Sequence, residues 1–270
     1  MRRLHLESVV HHPVQLDWLE SDHGAPPLRV WLKLDSGMHR LGFPLSDAAA
    51  AYARLRNCAS VDGEIHLMTH FANSDVFDDP QTALQVDRFE AALDGLQGPR
   101  SLSNSAAVLG WPQARGEWIR PGGLLYGISA IEGRSGEDLG FQPAMTLSSK
   151  LIAINQVAAG QAIGYAGTYI CAAATSIGVV SIGYGDGYPR SATTGTPVLV
   201  NGRRAALVGR VSMDLITVDL SEHPEARIGD PVVLWGRGLP VEEVAMHADT
   251  IGYELVCGMT RRVRFVEDES

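Results

Sequence analysis

The feature that most restricts how this chain can fold is a change of texture near Phe141. Before it, short apolar runs alternate with helix-forming stretches, the pattern of βα units and a parallel sheet. After it, strand-like runs follow one another closely, with little helix between them. In LRVWLKL the pleat places Leu28, Val30, Leu32 and Leu34 on one face and Arg29, Trp31 and Lys33 on the other. Ser46 is the expected N-cap of the alanine-rich helix DAAAAYARLR. IHLMTHF reads as a second strand, and Leu84, Phe89, Ala92 and Leu93 have helical spacing after Pro80. SLSN and WIRPG supply two further strand ends. That makes four or five βα units, where a closed barrel needs eight. The later half reads as a β domain with MTLSSKLIAI, IGVVSIGYG, TPVLVNGRRAALVG, LITVDL and DPVVLWG as strands. Asn201-Gly202 is its hairpin signal, and Val241 to Thr250 its one helix. The expected domains are 1–141, of βα type, and 142–270, mostly β.

The formal net charge is −9, and the 22 basic residues are scattered rather than clustered, which argues against nucleic acid and membrane surfaces as partners. A small polar substrate suits this balance better. Cys58, Cys171 and Cys257 lie far apart without ligand spacing, read as buried small hydrophobes, and indicate a reducing compartment. The start MRRLHLESVVHHP lacks the apolar core of a signal peptide, and no apolar run is long enough to cross a bilayer, so the expected location is cytoplasmic. Only two of the basic residues are lysines, Lys33 and Lys150. Any chemistry that needs a lysine must use one of them.

Sites in parallel α/β architectures gather at the C-terminal ends of the strands, and four such ends carry unusual residues. LKLDSGMHRLG sets Lys33 in an apolar strand with Arg40 beyond a glycine turn. MTHFANSD puts His66, Met68 and His70 on one face, with no carboxylate or cysteine at zinc spacing, so no metal is expected. SLSNSAA has Asn104 and Ser105 at a helix start, where free N–H groups favour an anion. WIRPGGLLYG joins Arg120 to Gly122 and Gly123, which let backbone approach an anion closely. Each reads equally well as a structural turn or cap when taken alone. Together Ser105, Gly122 and Gly123 would cradle a phosphate, with arginine and histidine around a planar ring. In the β half Tyr165, Tyr184 and Tyr253 each follow a glycine at an expected strand end or turn.

KLDSGMHRLG, THFANSD, SLSNSAA, RPGGLLYG, YAGTY, GYGDGYPR, VGRVSMD and YEL, in this order and spacing, resemble the alanine racemase family from about Leu6 onward. The resemblance implies a fold-type III enzyme dependent on pyridoxal 5'-phosphate, with a (β/α)₈ TIM-type barrel and a β C-terminal domain. It implies interconversion of L- and D-alanine, for peptidoglycan precursor supply or D-alanine catabolism, by a homodimer with shared sites. Carried over by motif, Arg120 resembles the arginine that bonds the pyridine nitrogen, and His70 a partner stacked on or near the ring. Ser105, Asn104, Gly122, Gly123 and Tyr253 resemble the phosphate contacts. Tyr165 resembles a catalytic base for one face of the substrate, acting from the opposite subunit. Arg40 resembles the arginine that holds the substrate carboxylate, while Tyr184, Met213 and Asp214 resemble residues lining the pocket. Lys33 resembles a lysine that family members carbamylate.

One family motif, of the form VVKANAYGHG and carrying the lysine that anchors the cofactor, has no counterpart here. The sequence aligns with about the last five βα units, so about 90 residues are expected to be absent, at roughly 30 residues per unit. The chain is therefore read as N-terminally truncated and expected to be inactive by itself. The alternatives are a non-catalytic paralogue or dimerisation partner of a complete racemase, a broad-specificity amino-acid racemase, and a basic amino-acid decarboxylase. The Tyr165 and Met213 segments favour racemase over decarboxylase.

Overall fold

A computed structural model describes residues 1–267. Its contacts divide the chain into two compact units: unit 1 is Met1–Gly122 with Ala130–Glu132, and unit 2 is Gly123–Ser129 with the chain from Gly133 onward.

Unit 1 is built from β1 (Ser8–Val10), α1 (Pro13–Glu20), β2 (Leu28–Asp35), β3 (Phe43–Pro44), α2 (Ala48–Arg56), β4 (Val61–Met68), α3 (Gln81–Ala92), β5 (Arg100–Ser101) and α4 (Ser105–Gly110). The strands run parallel in the order β1-β2-β4-β5, with β3 beside the end of β2. A parallel bridge from Asn104 to Arg120 carries the pairing one segment further. The alternation read in β2 is realised. Val30, Leu32 and Leu34 have no exposure and pack into one apolar cluster with Ile65, Leu67, Leu55 and Phe89. Arg29 and Trp31 point to the other face, where Lys33 is buried as well. α1 begins as its sequence directs, with Pro13 in the first turn and His12 and Gln15 forming a reciprocal capping box.

Two local expectations in unit 1 are corrected. Ser46 does not cap α2. A 3₁₀ turn at Leu45–Asp47 precedes that helix, Asp47 takes the cap position, and the Ser46 hydroxyl donates to the Asp47 carboxylate. The helix after Pro80 forms, but its inward stripe is Thr82, Gln85, Val86 and Phe89, while Leu84 is 43% exposed. Apolar spacing located the helix and its buried Phe89 and Leu93 but not Gln85, which enters the core with its amide hydrogen-bonded.

Unit 2 holds β6 (Leu147–Val157), β7 (Ala162–Ile163), β8 (Tyr169–Ile170), β9 (Thr175–Val180), β10 (Pro197–Val200), β11 (Arg203–Ala206), β12 (Ile216–Asp219) and β13 (Pro231–Trp235). Six of them form an antiparallel sheet in the order β11-β10-β13-β6-β9-β12, and β7 pairs with β8. Asn201 and Gly202 join β10 to β11 with φ of 50° and 76°, the two positive values that a tight hairpin requires. The core is the inner face of this sheet, centred on Trp235, which has no exposure and stacks on Tyr188 at 5.9 Å. Burial pushes the Tyr188 hydroxyl's pKa up. α5 (Val241–His247) lies where expected, but a second helix, α6 (Gly252–Cys257), follows it. Tyr253 therefore sits in the first turn of a helix and not at a strand end. Cys257, at the end of α6, is exposed, whereas Cys58 and Cys171 are buried. Among the described residues no helix is long and apolar enough to cross a membrane.

Limited proteolysis is expected to leave a stable C-terminal fragment of about 14 kDa, because a sheet of this size holds its own core. Its identification by mass spectrometry should place the N-terminus close to Phe141. Uniform degradation with no such fragment would contradict an independently folded β unit.

Candidate active site

Arg120 is the centre of the polar arrangement in unit 1. Burying a guanidinium is costly unless its N–H groups find acceptors, and the strand ends provide them. One terminal nitrogen donates to the Ser101 carbonyl at 2.9 Å and its hydroxyl at 2.6 Å. The other donates to the carbonyls of Thr69 at 2.8 Å and Leu102 at 3.1 Å, and lies 3.4 Å from His70 Nδ1. Burial lowers the Arg120 pKa, yet a guanidinium remains charged. That nitrogen's two N–H groups point to the carbonyls, so His70 Nδ1 faces the guanidinium as a longer, shared acceptor, which favours the imidazole proton on Nε2.

His70 is held neutral. Burial, then the charges of Arg120, Arg40 and Lys33, bring its pKa down to about 4. Lys33, on β2 and 9% exposed, is shifted the same way: burial lowers its pKa, Arg40 and Arg120 add to this, and Asp35 opposes it. Asp35 gives little in return, because its Oδ1 accepts the backbone N–H groups of Gly37, Met38 and His39 at 2.9 to 3.1 Å. Burial works to raise the Asp35 pKa, but those three bonds outweigh it and hold the group ionised. They also shape the turn that presents Arg40, in which Gly42 has a φ of 141° and no room for a side chain against Asp35 N. Arg40 itself is exposed.

Asn104 caps α4, its Oδ1 accepting from Ala107 N–H at 3.0 Å and from the Ser74 hydroxyl at 2.9 Å. Ser105, the first residue of that helix, is buried. Nothing crowds Gly122, whereas a Cβ on Gly123 would collide with the Tyr253 hydroxyl in the same unit. The structure thus brings Tyr253 onto Gly123.

In unit 2, Tyr165 opens the turn between β7 and β8 and is 67% exposed. The next residue, Ala166, has a φ of 60°, and Gly164 and Gly167 are also positive, so the backbone turns sharply around the tyrosine. Tyr184 and Met213 are brought together by backbone bonds from Tyr184 N to Ser212 O at 3.0 Å and from Gly185 N to Met213 O at 2.8 Å. That contact explains the glycines of GYGDGYPR, since a Cβ on Gly183 would strike the Ser212 and Met213 carbonyls. Asp214 pairs with Arg262 at 2.6 Å, and Arg262 also reaches Asp186 at 3.1 Å.

Sequence reading missed Arg262, Ser101, Thr69, Ser74 and Gln85. Ser74 and Thr69 lie inside the motif MTHFANSD and Ser101 inside SLSNSAA, so their segments were visible while their contacts were not. Arg262 lies in a charged stretch with no pattern that marks it.

The two halves of the chain match one class of enzyme, racemases with a TIM-like barrel and a β domain. The model of the alanine racemase N-terminal domain matches residues 1–130, and that of the alanine racemase C-terminal domain matches residues 144–267. An alanine racemase of Shewanella sediminis is 53% identical over 258 residues, covering 96% of this chain and 72% of the relative. The biosynthetic alanine racemase of Pseudomonas aeruginosa has a similar crystal structure, with a TM-score of 0.93 and 50% identity over 97% of this chain and 73% of that one. The alanine racemase of Acinetobacter baumannii gives a TM-score of 0.88 at 38% identity, over 95% and 72% of the two chains. The chain belongs to the alanine racemase family, whose members are pyridoxal-phosphate-dependent isomerases.

The depressed His70 pKa has a signed consequence. In the unfolded chain the imidazole takes up a proton near pH 6.5, and in the folded chain only near 4. The unfolded state therefore binds more protons in that window, and the stability His70 contributes is lost as pH falls through it. Urea unfolding of wild type and His70→Gln at pH 7 to 4 is expected to show a shallower loss in the variant. The readout is tryptophan fluorescence, since Trp18, Trp31, Trp111 and Trp118 all lie in unit 1. Identical slopes in the two proteins would contradict a buried, neutral His70.

Proposed function

We propose that this protein acts in the interconversion of L- and D-alanine, with pyridoxal phosphate as its cofactor. The observation that carries the reading is the buried Arg120–His70 arrangement on motifs that match the family across both halves of the chain. The donor set suits the cofactor's ring. Among the described residues the hydrogen bonds of Arg120 run from its two terminal nitrogens, and Nε–H is left for a ring nitrogen to accept. An arginine in that role cannot pass its proton on, so the ring nitrogen stays unprotonated and the electron sink is weakened. This disposes the site to return a proton to the substrate carbon. Neutral His70 would lie at the ring. Ser105, Asn104, Gly122, Gly123 and Tyr253 would hold the phosphate, and the collision that any Cβ on Gly123 would make with Tyr253 supports a close backbone approach there.

When bound, the cofactor acidifies the α-C–H of an attached amino acid, and the protein's own groups then handle that proton. Tyr165 would give or take it on one face through its hydroxyl. Its exposure among the described residues supports a role toward a second copy, and so a homodimer with shared sites. Arg40 would bind the substrate carboxylate, while Tyr184, Met213 and Asp214 would shape its pocket. Lys33, buried beside two arginines, is the amine most disposed to be neutral, the form that reacts with carbon dioxide. Loss of one proton to reach the neutral amine, and of a second as its nitrogen bonds to the carbon of carbon dioxide, would turn a third cation into an anion near Arg40 and Arg120. A cytoplasmic location belongs to the same reading. We also read β1, β2, β4, β5 and the Trp118–Arg120 segment as five of a barrel's eight strands, and a domain boundary near Phe141.

The lysine count favours a second reading, a non-catalytic partner of a longer racemase. Lys150 is exposed on β6 in unit 2, and Lys33 is assigned to the carbamate. Incubation with pyridoxal phosphate, borohydride reduction and peptide mapping are expected to leave both lysines unlabelled, and the purified chain is expected not to interconvert the alanines. Stoichiometric label on Lys33 together with turnover would overturn that expectation and the carbamate assignment with it.

The racemase reading itself is tested in a chimaera. The part of the Shewanella sediminis relative not covered here is joined to this chain, and L- to D-alanine conversion is expected. In the chimaera Tyr165→Phe should lower the rate by roughly 10²-fold or more. Entry of solvent deuterium at the α-carbon should fall mainly for one enantiomer, with cofactor absorbance intact. Equal residual exchange for both enantiomers would remove Tyr165 from the role.

A further inference from the structure

A carboxamide in a protein interior is tolerated when its donors and acceptor are bonded, because each one stranded carries an uncompensated desolvation penalty. Gln85 on α3 has no exposure, and it reaches from the helix to the loop that follows β4. Its Oε1 accepts from Ala72 N–H at 2.9 Å, and its Nε2 donates to the His70 carbonyl at 3.2 Å. Those two backbone groups flank Phe71, and the amide binds them as a neighbouring strand would. Nε2 also lies 3.3 Å from Ser36 Oγ, just beyond β2, and that hydroxyl is 2.8 Å from Thr69 Oγ1. The carbonyl of Thr69 in turn accepts from Arg120. Ser36 and Thr69 are fully buried as well.

We propose that Gln85 is a positioning residue for His70: its carboxamide fixes the loop between β4 and α3 so that the imidazole stays against Arg120. Through Ser36 and Thr69 it also ties that loop to the end of β2 that carries Lys33 and leads to Arg40. The importance of His70 to the cofactor rests on the racemase reading, but the positioning does not.

The choice of residue follows from the shape of the partners. The N–H of Ala72 and the C=O of His70, on either side of Phe71, call for an acceptor and a donor side by side, which a carboxamide supplies at the end of two methylenes. Methionine has the length and neither bond. Glutamate keeps the acceptor, loses the donor when ionised, and adds a negative charge. Once the loop is freed, water reaches His70 and the cations draw away. The charged groups facing it are Arg120, Arg40 and Lys33, all positive, so every consequence of release favours the protonated imidazole.

The experiment follows the His70 ring by NMR in the isotope-labelled chain, with His70→Gln assigning its signal. Wild type is expected to titrate far below the ordinary histidine range. Gln85→Met should bind the proton at least tenfold more tightly at His70, while the other histidines are unchanged. Ser36→Ala should move it in the same direction by less. A folded Gln85→Met protein that loses thermal stability but keeps the wild-type His70 titration would overturn the proposal, because a merely structural glutamine would behave so. Where Gln85→Met does not fold, Ser36→Ala decides: a raised His70 affinity supports the coupling, and an unchanged one overturns it. Failure of the racemase reading appears elsewhere, as a chimaera without turnover, and leaves these titrations as they are.

Discussion

The rest of unit 1 depends on keeping one guanidinium charged inside protein. Arg120 can be buried because four oxygens converge on it, the carbonyls of Thr69, Ser101 and Leu102 and the Ser101 hydroxyl. Those oxygens belong to the ends of β4 and β5, so the charge is satisfied only if the two strands keep their register, with Met68 opposite Ser101. A slip of one residue would rotate the carbonyls away and strand the charge, an error worth several kcal/mol. The parallel sheet therefore sets the place of Arg120, and the buried charge in return penalises misregistered sheets.

Legibility from sequence followed the range of the forces involved. Elements governed by neighbouring residues were readable: the alternation of β2, the Asn201-Gly202 hairpin, and the cap that Asn104 provides to α4. Long-range polar contacts were not. The helical spacing of Leu84, Phe89, Ala92 and Leu93 gave no place to Gln85, because nothing local reveals the Ala72 N–H and His70 C=O that its amide meets across the core. Tyr253 was assigned to a turn because Gly252 precedes it. In the structure that glycine opens α6, where a Cβ would press on Val241 and Ile128. The motifs named most of the candidate residues, and the fold showed which neighbours support them.

The glycines of GYGDGYPR separate two kinds of constraint. Gly187 has a φ of 106°, a backbone requirement, while Gly183 is needed for space against the 212–213 carbonyls. Gly183 allows the backbone approach that sets Tyr184 beside Met213, while Gly187 packs toward Gly258 and Met259. Arg262, bridging Asp186 and Asp214, adds a tie from further along the chain and makes the frame depend on the C-terminal segment after α6.

Charge balance gives the site its character. Lys33, Arg40 and Arg120 place three cations within reach of His70, and the carboxylate nearest to them, Asp35, has committed its lone pairs to a turn. A protonated imidazole would be a fourth positive charge in a partly desolvated space, and the same burial that isolates the ring disfavours it. Neutral His70 is thus a consequence of its surroundings and not a separate design. What remains is a positive field suited to anions, and the proposed substrate carboxylate, phosphate and Lys33 carbamate would each bring negative charge to it. The carbamate would differ from the others in being made from one of the cations, changing the local balance by two charges. A field of this kind is built on strand ends whose register Arg120 ties together. An anion bound there would replace repulsion among neighbouring cations with attraction.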